Sequence, residues 1–72
     1  LDKELESDNP YDMSKVAVGD RGVTLSRLAP MGKVLVNGEE YEAKFREGFL
    51  DRGVEVEVVE IEGNVLVVRS KE

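Results

Sequence analysis

The sequence predicts an all-β domain closed into a small five-stranded barrel. Short runs rich in Val, Ile, Leu and aromatic residues alternate with polar ones at period two, the spacing of a strand with one dry face. Glycine, proline and asparagine interrupt those runs roughly every eight to twelve residues, the rhythm of sandwiches and barrels. The 72 residues include no cysteine and no histidine, so a single apolar core must hold them without disulfides or the usual zinc ligands. With so few strands, closure is the best way to remove exposed sheet edges.

Residues 1–15 are expected to form a flexible acidic tail or linker, with the barrel in residues 16–72. Up to Asp12 the chain carries five acidic residues against one lysine, and Pro10 stops any helix begun around Leu1 and Leu5. Val16-Ala17-Val18 opens the apolar part, ahead of a turn bounded by Gly19 and Gly22. The first strand then places Val23, Leu25 and Leu28 on one face, with Thr24 and Ser26 on the wet one. Ala29-Pro30-Met31-Gly32 reads as a turn. The second strand starts at Lys33 and ends at Asn37-Gly38, a strong hairpin signal. In the third, Tyr41, Ala43 and Phe45 share a dry face opposite Glu40, Glu42, Lys44 and Arg46. The bridge from Glu47 to Gly53 holds at most one helical turn. In most OB-folds a helix plugs the barrel at this point; here Phe49 and Leu50 are expected to do so.

The chain is organised around the stretch from Gly53 to Arg69. Val54, Val56 and Val58 alternate with Glu55 and Glu57; at Val58-Val59 the alternation changes phase, and Ile61 falls in step with Val59. Such a shift predicts a β-bulge. Val65-Leu66-Val67-Val68 is apolar on both faces and predicts a strand buried on both sides. All seven glycines lie near strand ends, where turn geometry accounts for them. A three-strand meander, a connection and a hairpin match the OB-fold.

Chemistry is sparse. Without His or Cys the usual nucleophile–base pairs cannot be assembled. A Ser26–Lys33 dyad would ask an ordinary wet-face strand serine to act as nucleophile. Glu55 and Glu57 form a carboxylate pair, but a charged face that keeps a valine-rich strand soluble explains them better. Asp8, Asn9 and Asp12 lack the glycine and closing glutamate of a calcium loop, and the glycines form no phosphate cradle. Hairpin tips at Asn37-Gly38 and Gly63-Asn64 carry no lysine, which argues against a biotinyl or lipoyl carrier domain. We expect no enzyme activity, cofactor or metal.

Net charge of −6 opposes binding to phosphate backbones and anionic membranes. The competing function is a single-stranded nucleic-acid-binding OB module, which would need Tyr41 and Phe45 exposed as a stacking platform beside a basic face. A third is an assembly domain that oligomerises its parent. No apolar run approaches the roughly 18 residues that span a bilayer. The chain starts at Leu1 with no signal peptide and is expected to be part of a longer protein.

In order and spacing, the chain resembles the C-terminal domain of the NfeD family over roughly residues 18–69. The residues that carry the likeness are Gly19 and Gly22, then Leu28-Ala29-Pro30, Gly32-Lys33-Val34, Asn37-Gly38-Glu39, Tyr41 and Ala43. They continue with Gly48-Phe49-Leu50, Gly53, Val56, Val58-Val59, Glu62-Gly63-Asn64, Leu66 and Val68. The resemblance implies a five-stranded OB-fold barrel, the soluble domain of a membrane protein, expected on the cytoplasmic side. It implies a stomatin- or flotillin-like partner (a prohibitin-homology membrane protein) and a role in membrane organisation or quality control. Long members of the family also carry a separate serine protease domain. Turn chemistry brings Leu28, Met31, Phe49 and Leu50 near the surface, and these are the expected interaction residues.

Overall fold

A computed structural model describes residues 13–71. The expected tail up to Asp12 and the weighed calcium loop lie outside them. Met13–Lys15 form one 3₁₀ turn, followed by β1 (Arg21–Thr24), β2 (Met31–Val36), β3 (Glu39–Phe45), β4 (Glu55–Glu62) and β5 (Val65–Ser70). The strands close in the order β1-β2-β3-β5-β4, with β4 returning to β1. Every pairing is antiparallel except β3 with β5. This is the expected five-stranded, OB-like barrel.

Local chemistry sets the two hairpins. Asn37 and Gly38 both adopt positive φ, 55° and 81°, which reverses the chain in two residues and locks the β2–β3 register. As a result Tyr41, Ala43 and Phe45 point into the core and Glu40, Glu42 and Lys44 point away. In β4, Val58 pairs with Val68 but Glu60 pairs with Val67, so Val59 is the extra residue of a bulge. Val59 is turned out, 41% exposed, while Ile61 opposite Leu66 returns to pack against the core. The bulge therefore absorbs the phase change and restores the original dry face.

β5 is buried on both sides. Leu66 and Val68 join Val34, Val36, Val56 and Val58 inside. Val67 faces outward yet is also buried. Lys44 on β3 reaches Glu62 on β4 at 3.0 Å, and Arg46 pairs with both Glu60 and Glu62. Since β5 lies between β3 and β4, these ion pairs cross over it and cover Val67.

Three expectations fail in and after β1, through contacts that alternation and turn chemistry do not count. Thr24, expected on the wet face, is buried. Its hydroxyl donates to the Asp51 carbonyl at 2.7 Å and accepts the Val54 N–H at 2.9 Å, so its polar atom is satisfied inside. The strand stops there, and Leu28 continues only as an isolated bridge to Leu50. Turn geometry also fails to explain Gly22 and Gly32, which lie within β1 and β2 without positive φ. A Cβ at Gly22 would run into the Leu35 carbonyl and the Val36 side chain. One at Gly32 would run into the Arg27 carbonyl and Leu28 Cδ2. Both are close-approach glycines.

Gly32→Ala is expected to destabilise the fold by about 1–3 kcal/mol through overpacking. Thermal or urea denaturation reads this directly, and a variant as stable as the parent would mean that Leu28 can move aside freely.

Candidate interaction surface

The fold brings both predicted loops to one end of the barrel. Leu28 and Leu50 exchange backbone hydrogen bonds, each 2.9 Å, and so join the β1–β2 connection to the β3–β4 connection. The Phe45 N–H donates to the Pro30 carbonyl at 2.8 Å, tying the β1–β2 connection, with its cis Ala29-Pro30 peptide, to the end of β3. Thr24 and Gly53 hold the second loop from the other side, the Gly53 N–H donating to the Thr24 carbonyl at 2.8 Å.

Of the four expected interaction residues, Leu28 is fully buried. Its bridge to Leu50 turns it inward, and the missing side chain of Gly32 leaves room for it. Leu28 therefore supports the surface from beneath. Leu50 is half-buried and packs on the core. Met31 is 43% exposed and Phe49 is 52% exposed. Phe49 was expected to plug the barrel; it lies outside instead, with the Arg27 guanidinium 4.3 Å from its ring centroid. Leu28 and Leu50 fill that end, and Val16 is packed into the core from the N-terminal side. Nothing in the sequence pairs Arg27 with Phe49, because only the Leu28–Leu50 bridge brings the two together.

Val18 and Val59 are the other exposed large apolar residues among those described. Hydrogen bonds from the Gly19 N–H to the Val58 carbonyl and from the Val58 N–H to the Asp20 carbonyl place their segments side by side.

The remaining polar candidates have structural partners. Ser26 Oγ accepts the Lys33 backbone N–H at 3.0 Å. Glu57 accepts hydrogen bonds from Arg69 Nε and Nη2 and from Lys71 Nζ. The Arg69 hydrogen bond chiefly, aided by the charge of Lys71, holds the Glu57 carboxyl below the usual glutamate range against the opposing effect of partial burial. Glu62 is lowered likewise, first by its hydrogen bond from Lys44. Tyr41 and Phe45, the stacking platform a nucleic-acid interface would require, are inside the core. Among the described residues no group of three or more His, Cys, Asp or Glu could hold a metal ion. No described helix is long and apolar enough to cross a membrane.

Residues 15–69 match the family model of the NfeD-like C-terminal, partner-binding domain. The chain belongs to the NfeD family. A solved NfeD relative, the C-terminal domain of stomatin operon partner protein 1510-C from Pyrococcus horikoshii, is 30% identical with a TM-score of 0.74. That alignment covers 76% of this chain and 88% of the other. The soluble domain of a Corynebacterium glutamicum membrane protein implicated in regulation of membrane protease activity is 26% identical, TM-score 0.70, covering 76% and 92%. The soluble domain of the NfeD protein YuaF from Bacillus subtilis shares the fold at 23% identity and TM-score 0.72, covering 100% and 93%. No curated protein sequence matches. An NfeD C-terminal domain of this kind is a partner-binding, non-catalytic module.

Thr24→Val removes the only side-chain hydroxyl bridging Asp51 and Val54 among the described residues, and leaves two backbone groups unpaired. It is expected to cost about 1–3 kcal/mol, with Thr24→Ser retaining most of the stability; denaturation of both variants distinguishes this from lost packing. For Glu57 and Glu62, whose folded-state pKa values are depressed, the stabilisation is fully present above the unfolded glutamate value of about 4.3. It is lost as pH falls through the lower folded values. A melting-temperature profile should therefore be flat near neutrality and fall on the acid side. Glu57→Gln together with Glu62→Gln should flatten that fall; an unchanged acid limb would assign it to other carboxylates.

Proposed function

We propose that this domain is the docking module of a membrane-anchored NfeD protein. On this reading it engages a stomatin- or flotillin-like membrane protein on the cytoplasmic side and acts with it in membrane organisation or quality control. The family match carries the proposal, because an OB-like barrel alone serves many unrelated functions. The 30% identity to a protein described as a stomatin operon partner supports the choice of partner. The relative described as the soluble domain of a membrane protein supports the membrane tether. We assign the binding face to the barrel end that exposes Met31 and Phe49, with Leu50 between them and the core and Leu28 beneath.

Titrating the isotope-labelled domain with the soluble core of a stomatin-like protein encoded beside it tests this reading. Localised NMR shifts around Arg27–Gly32 and Phe49–Arg52, with none from a short single-stranded oligonucleotide at low salt, are expected. Shifts produced by the oligonucleotide alone, and weakened by salt, would overturn the proposal in favour of nucleic-acid binding.

A further inference from the structure

We propose that the Arg27–Phe49 contact is a binding hot spot for a protein segment that presents a carboxylate next to a large apolar side chain. This deepens the partner-binding reading above and rests on it for the class of occupant.

The charge arrangement carries the inference. Lys15, Lys44, Arg46, Arg69 and Lys71 each pair with a carboxylate of this acidic chain. Among the described residues Arg27 and Arg52 pair with none, although Glu47 and Asp51 lie in the same loop as Arg52. Arg21 is likewise unpaired among the described residues, but it stands at the start of β1, outside that loop. Only Arg27 has its guanidinium over an exposed aromatic ring among the described residues.

Stacking occupies the flat face of the guanidinium and leaves its edge N–H donors available to a carboxylate as a two-point fork. The exposed Phe49 ring supplies apolar area at the same place. Arginine and aromatic residues are the side chains enriched at interface hot spots. The paired backbone at Leu28 and Leu50 makes the platform rigid before binding, which lowers the ordering cost of association. A lipid surface fits less well, because net charge of −6 and the exposed carboxylates of Glu47 and Asp51 oppose an anionic membrane. A single carboxylate on a protein segment can reach Arg27 without meeting that field broadside.

The test uses the full chain with three probes. Acetyl-Leu-Glu-Leu-amide at millimolar concentration should shift the Arg27 Nε–H and Phe49 ring signals, and its glutamine counterpart should not; equal or absent shifts from both would overturn the hot spot. With the stomatin-like soluble core, Phe49→Ala and Arg27→Glu should each weaken binding at least about tenfold, the loss of a buried anchor or of a charged contact. Arg21→Ala should leave it unchanged, and all three variants should melt with the parent. If the core binds the variants as well as the parent, the inference fails while the partner reading stands. If the acidic peptide binds and the core does not, the hot spot stands and the partner reading fails. Phosphatidylglycerol-containing vesicles are expected to leave these signals unmoved, and Phe49-dependent vesicle binding would overturn the proposal in favour of lipid.

Discussion

The barrel depends on the parallel pairing of β3 with β5, in which Glu42–Phe45 run beside Val65–Val68. Without it the five strands form an open sheet with β3 and β5 as exposed edges. With it, β5 lies between β3 and β4 and must be dry on both faces. The inner face is met by the core, and the outer face by a side-chain cover. Lys44 and Arg46 reach over β5 and their charged heads meet Glu60 and Glu62. Exposed ion pairs contribute little individually. Here their position over the closing strand matters more than their Coulomb energy.

The same closure fixes the barrel end proposed above as the binding face. Once β4 returns to β1, the connections before β2 and before β4 meet at the Leu28–Leu50 bridge. Leu28 goes inside, Leu50 seals the barrel, and Phe49 is left outside with Arg27. An apolar patch with a preset guanidinium thus arises from backbone geometry and one missing side chain at Gly32. This suits an NfeD domain, whose work is to bind rather than to catalyse.

Much of this architecture was legible in the chain. The Asn37-Gly38 reversal, the Tyr41-Ala43-Phe45 face, the Val58-Val59 bulge and the two-sided burial of β5 all follow from neighbours in sequence. For the proposed binding face, the sequence pointed to two loops and not to how their residues are placed. Met31 and Phe49 are exposed as expected, although Met31 already belongs to β2; Leu28 is buried, and nothing in the sequence pairs Arg27 with Phe49. Thr24 was misassigned for a related reason: alternation counts a threonine as polar, whereas its hydroxyl finds both partners in a loop far along the chain.

Periodicity and turn residues, which act over a few positions, determined the strands, the hairpins and the closed all-β class. The order and spacing of those residues also marked the family. Only the tertiary structure decided which residues are close-packed, which polar groups are satisfied inside, and which loops share a surface. Those outcomes depend on atoms that meet across the barrel, such as Gly22 against the Leu35 carbonyl and the Arg27 guanidinium over Phe49, and no local pattern encodes a meeting between distant segments.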